Sequence, residues 1–156
     1  DATLTHLRSA KRLSDPYQRH RLGQMAIAVE TGYAWIDRTA RLWGEIGSSR
    51  DAGIVTTANA ARLAIEDTAL RVLESAERGV GAAGMIAPHP LERLIRDLRT
   101  YLRQPNPDRA LAAVGAAVSD GSWAPGQPAG EGNERNGQAS PTPRREEDLS
   151  GSTASR

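Results

Sequence analysis

The chain has 156 residues, 38% of them hydrophobic, which is enough for one buried core and no second one. A net charge of +1 argues against nucleic acid as a partner, because duplex binding rests on clustered cationic contacts. Without cysteine there are no disulfides and no thiolate metal sites. No apolar run approaches the roughly 20 residues that cross a bilayer, and no basic-then-apolar signal opens the chain. The expectation is a cytoplasmic protein with no membrane contact. Lys11 is the only lysine, and arginine in its place, beside abundant Ala and Gly, reads as the mark of a GC-rich genome rather than of phosphate binding. The chain opens on Asp1 and not on methionine, as a piece of a longer protein would.

The first strong helical pattern runs from Pro16 to about Ile46, where Leu22, Met25, Val29, Ile36, Ala40 and Trp43 fall on one stripe. Ser14 and Asp15 stand before it as capping residues, and proline suits its first turn. Residues 47–51, Gly-Ser-Ser-Arg-Asp, interrupt the pattern and offer a cap for the next helix. From Asp51 to Glu77 the expected stripe is Ala58, Ile65, Ala69, Val72 and Ala76, small enough to let the first helix approach closely as an antiparallel partner. Gly79, Gly81 and Gly84 end this helix, since glycine accepts the positive φ of a helix stop.

Pro88 and Pro90 start a third helix that reaches Gln104. Its core stripe is Leu91, Leu94, Ile95, Leu98 and Leu102, with Arg93, Arg96 and Arg103 on another face. Leu94 and Leu98, four apart, are expected to be buried together. Pro105 and Pro107 stop it, Asn106 caps a fourth helix, and Leu111, Val114 and Val118 give that helix its stripe. The predicted fold is all-α: an up-and-down four-helix bundle over residues 1–119. Residues 120–156 are rich in Gly, Pro, Ser, Glu and Arg, show no period, and are expected to be disordered. Trp123, their one aromatic, either docks on the bundle or stands exposed.

The stretch from Arg78 to Arg103 carries the most specific signal. It resembles the C-terminal helical domain of acyl-CoA dehydrogenases, in which a Q-x-x-G-G-x-G turn precedes P-x-E-R-x-x-R-D. Gly81, Gly84, Pro90, Glu92, Arg93, Arg96 and Asp97 match without a gap, while Arg78 replaces the glutamine and Ala82 the second glycine. Ser14 to Gln18 and Ala61 to Ala76 lend weaker support, so the resemblance covers roughly residues 10–119.

In that family the glycine turn of a neighbouring subunit approaches the adenosine diphosphate end of FAD. The resemblance therefore implies FAD as cofactor and Arg78, Gly81, Ala82 and Gly84 as the residues that contact it. The reason is physical: backbone without side chains can come within hydrogen-bond distance of phosphate and ribose. A helix stop with no ligand is the competing reading. Gly84 is expected to matter for flavin more than for folding. The resemblance further implies a homo-oligomer and an acyl-CoA-type substrate, oxidised at a CH–CH bond.

No catalytic residue is assigned. The family's glutamate base follows the Arg-Asp pair in a Y-E-G-T loop; here the stretch reads LRTYLRQPNPD, and Pro105 falls on the glutamate's position. Asp108 is close, but an acid in the first turn of a helix is explained by the dipole. Glu92 with Arg96, and Arg93 with Asp97, are i, i+4 pairs that read as structural. His6, His20 and His89 have no second ligand at i+3 or i+4, so no metal site is expected. The leading expectation is the C-terminal domain of an FAD-dependent oxidoreductase, inactive as an isolated chain. Its alternatives are a flavin-dependent monooxygenase of the same fold and a non-catalytic helical module that binds a partner.

Overall fold

The computed structural model describes residues 1–46, 52–103 and 106–126. The expected turn at 47–51, Pro105 and the stretch 127–156 lie outside them. Five α-helices follow in order: α1 (Ala2–Ser9), α2 (Pro16–Ile46), α3 (Ala52–Val80), α4 (Pro90–Leu102) and α5 (Pro107–Ser119), with a 3-10 turn at Ala82–Met85. No strand occurs among the described residues. The all-helical expectation holds. The arrangement is centred on α3, which touches every other element, rather than on four equivalent staves.

Asp15 sets the start of α2, its Oδ1 accepting the amides of Tyr17 (2.8 Å) and Gln18 (3.4 Å). Of the two expected caps, Asp15 makes these bonds, and Pro16 fits the first turn because its missing N–H has no partner to lose. α2 and α3 then lie antiparallel, the start of α2 beside the end of α3 at Gln18 and Gly79.

The seam between them keeps Leu22, Met25 and Ala76 of the predicted stripes and departs from the rest. The buried and half-buried positions on α2 are Gln18, Arg21, Leu22, Met25, Ala28, Gly32, Trp35, Arg38, Thr39 and Leu42, and all but Leu22 and Arg38 follow a regular three-four alternation. Small residues at 28 and 32 let the backbones close: a β-carbon on Gly32 would be only 3.7 Å from Thr68 Oγ1. The larger apolar side chains of the expected stripe sit to one side, with Val29, Ile36 and Trp43 about half exposed. On α3, Ile54, Thr57, Ala61, Leu73 and the expected Ala76 are buried, whereas the other expected positions, Ala58, Ile65, Ala69 and Val72, are intermediate.

The core lies at the C-terminal end of α3, where Leu73, Ala76 and Val80 pack on Leu91 and Ile95 of α4, with Met25 and Leu98 against them. Burying a side chain of this size contributes about 1.5–3 kcal/mol. Leu94 departs from expectation: it is 53% exposed, while Leu98 is partly buried. The core side of α4 is drawn by Leu91, Ile95 and Leu102, and Leu94 falls beyond its edge. An Arg99–Glu77 ion pair (2.8 Å) ties α4 to α3 on the outside.

One element, α1, went unread in the sequence, and α5 was expected but with another buried side. α1 buries Thr3 and Leu7, the latter at 0% exposure. α5 packs on α3 through half-buried Pro107, Ala110, Val114 and Ala117, leaving the expected Leu111 and Val118 exposed. The alanines allow close approach, and large side chains at these positions would hold the helices apart. After α5 the chain turns back, and Trp123 Nε1 donates to Thr57 Oγ1 (3.0 Å), so this tryptophan docks.

Candidate functional site

The glycine turn forms the corner between α3 and α4. α3 runs through Gly79 to Val80, so the helix stop is Gly81 alone, with φ of 77°. Its amide donates to Glu77 O (2.8 Å), and the Gly84 amide donates to Gly81 O (2.9 Å). The first amides of the 3-10 turn, those of Ala82 and Ala83, lie where a helix start has no partner within the helix.

The four expected cofactor residues divide into two groups. Arg78, Gly81 and Ala82 are exposed, and a β-carbon on Gly81 would meet nothing within 4 Å. That edge is open to solvent. Gly84 points inward instead: a β-carbon there would lie 2.8 Å from Val80 Cγ1 and 2.9 Å from Leu91 Cδ2. Its lack of a side chain is explained by packing between α3 and α4.

Arg78 Nη2 lies 2.6 Å from Glu74 Oε1, and both residues line a groove of about 520 Å³ between α2 and α3. Thr31, Asp67, Thr68 and Arg71 extend its polar wall, and Arg71 is held by Asp67 at 2.7 Å. Beyond the turn, Glu92 pairs with Arg96 (2.8 Å) and Arg93 with Asp97 (3.2 Å), as the spacing predicts. Arg93, Arg96 and Asp97 are exposed, so each pair is worth a few tenths of a kcal/mol and holds shape rather than performing chemistry. Asp108 stands exposed in the first turn of α5.

Sequence reasoning missed the contact between His6 and His89. Their rings meet edge to face with centroids 5.1 Å apart, because α1 folds across the start of α4. No group of three or more metal-ligating side chains forms among the described residues. The signal available in the sequence was the position of His89, immediately before Pro90 where a helix must start and needs a cap. Gln18 was noted only as part of the resemblance. It is 2% exposed, and with its amide turned to place the oxygen toward them it accepts from Arg12 Nη2 (2.7 Å) and Arg21 Nη1 (3.3 Å).

Among the described residues, no helix is long and apolar enough to cross a membrane. No curated protein and no solved structure matches the chain. A family does match, over residues 1–102: the acyl-CoA dehydrogenase C-terminal domain. That span takes in α1 to α4, including the glycine corner and both ion pairs of α4, and ends before α5. The chain belongs to the acyl-CoA dehydrogenase C-terminal domain family.

Proposed function

We propose that this chain is the C-terminal helical domain of an FAD-dependent oxidoreductase acting on a CH–CH bond of an acyl thioester or a related substrate. The observation that carries the reading is the family match across the glycine corner, together with the exposure of Arg78, Gly81 and Ala82 on that corner. FAD, when bound, would supply the acceptor for the hydride lost by the substrate. The part given to this chain is to hold the cofactor's phosphate end: Arg78 supplies a cation, and the turn supplies backbone close enough to hydrogen-bond. Gly84 supports the corner from within.

The homo-oligomer that the family implies has a physical counterpart in α2, where Val29, Ile36 and Trp43 leave apolar surface half exposed along one side. Counted along the resemblance without a gap, Pro105 falls where the family's glutamate base stands. The reading therefore gives this domain cofactor binding and assembly but not proton abstraction, and it accommodates oxygenation by the same fold.

On this reading the test uses the full-length oxidoreductase of which the chain would be the C-terminal domain. Arg78→Glu and Ala82→Glu alter exposed side chains and add negative charge where phosphate is to lie. Flavin retained through gel filtration should fall severalfold in both, with circular dichroism unchanged. Full retention in both variants would remove the corner from the flavin site. The 156-residue chain by itself should show no acyl-CoA-dependent bleaching of added FAD.

A further inference from the structure

His89 caps α4. Its ring Nδ1 accepts the Leu91 amide at 3.1 Å, satisfying one of the donors left over at a helix start. A ring nitrogen that accepts a hydrogen bond carries no proton, so the neutral ring holds its proton on Nε2. That nitrogen lies 3.2 Å from His6 Nδ1 on α1. The His89 Nε2–H therefore donates and His6 Nδ1 accepts. Leu91 to His89 to His6 is the one order in which both contacts are hydrogen bonds, and in it both imidazoles are neutral.

We propose that the His6–His89 pair is a pH-released latch: uptake of one proton breaks either the cap of α4 or its tie to α1, and loosens the corner between α3 and α4. A proton on His89 Nδ1 sets two N–H groups face to face at the positive end of a helix dipole. A proton on His6 Nδ1 confronts the His89 Nε2–H. That clash is relieved only by moving the His89 proton to Nδ1, which again removes the cap. Both rings are half-buried, so separating them exposes a contact that holds α1 against α4.

Neighbouring charges do not offset the added one. Besides His6, α1 carries only the cation Arg8, with Asp1 at its far end; Arg12, which follows it, is paired with Asp15. The 3-10 turn has no ionisable side chain. On α4, Glu92, Arg93 and Asp97 line the hollow beside His89, and both acids are held by arginines. At the end of α3, Glu74 and Glu77 are held by Arg78 and Arg99. A proton on either ring therefore costs the latched form one of its two hydrogen bonds, and no nearby free carboxylate takes the place of the lost partner. The latch stands without any flavin; only its consequence for cofactor affinity rests on the reading above.

The test follows from the tautomers and uses the 156-residue chain without flavin, so that it can fail independently of the proposed function. At pH 7.5, ring nitrogen-15 shifts should place the His89 proton on Nε2 and leave His6 Nδ1 bare. Between pH 7.5 and 5.5, amide protection over residues 84–93, corrected for intrinsic exchange, should fall at least tenfold more than in α2. His89→Asn keeps a capping oxygen but takes up no proton in this range, and its protection should change less than twofold. A His89 proton on Nδ1 at pH 7.5, or an equal acid response in wild type and His89→Asn, overturns the proposal. The ring measurement needs no variant and decides even where His89→Asn fails to fold.

Discussion

Gly84 and Val80 are so close that a β-carbon on the glycine would stand 2.8 Å from Val80 Cγ1, with Leu91 Cδ2 at 2.9 Å on another side. Neither neighbour is a mobile chain end at the surface, for Val80 and Leu91 are 6% and 3% exposed and belong to the core cluster. Gly84→Val should therefore overpack the corner and cost about 1–3 kcal/mol, and Gly84→Ala less. The sequence-based expectation was that Gly84 matters for flavin more than for folding; this geometry gives it a packing role in the fold. Urea melts decide it: an unchanged midpoint for Gly84→Val would mean that α4 can move away freely.

Adjacent residues on α4 should behave oppositely. Ile95 is 7% exposed within the core cluster, and Ile95→Ala is expected to cost about 2–5 kcal/mol through lost burial and the cavity left behind. Leu94 is 53% exposed, and Leu94→Ala should change stability by no more than about 0.5 kcal/mol. Denaturant midpoints of the two variants give a direct comparison, and equal losses would contradict the orientation of α4.

How much of this was legible follows from what each residue reports. α2 was readable in extent because a proline start and a long periodic run are local properties. Its buried side was not, since Ala28 and Gly32 carry little apolar signal and win the seam by letting α3 approach, while Val29 and Ile36 give the stronger pattern and stay half exposed. The same physics shifted α5 from Leu111 to Ala110 and Ala117. The glycine corner and the two ion pairs of α4 were legible through spacing. That Gly84 turns inward and Gly81 outward was not, because both are only glycines until α3 and α4 are in place. The His6–His89 contact spans 83 positions and depended on a short helix, α1, that has too few turns to show a period.

Trp123 should contribute to stability although it lies beyond the last helix. Its indole N–H donates to Thr57 Oγ1, and Thr57 is 2% exposed, so losing the donor leaves a buried hydroxyl without that bond. Trp123→Phe keeps an aromatic ring and removes the donor, with an expected cost of about 1–3 kcal/mol. A double-mutant cycle with Thr57→Val separates the bond from the ring contact. Additive effects of the two substitutions would show that the bond contributes nothing to stability.

Asp15 should set an acid limit below that of the histidine latch. Partial burial acts against its charge, but the amides of Tyr17 and Gln18 and the Arg12 guanidinium outweigh that, and the carboxyl titrates below its ordinary range. A carboxyl with a depressed native value contributes stability that is fully present above the unfolded value, about pH 3.9, and that is lost as pH falls through the native one. Asp15→Ala should therefore melt at a lower temperature than wild type at pH 7, with the gap closing as pH drops below about 4. Asp15→Asn retains an oxygen able to cap α2 but loses the charge, so its melting temperature should fall less with acid over that window. Thermal melts at pH 7, 5, 4 and 3 check both. A gap between wild type and Asp15→Ala that stays constant down to pH 3 would show that the carboxylate's bonds at the start of α2 add nothing to the native state.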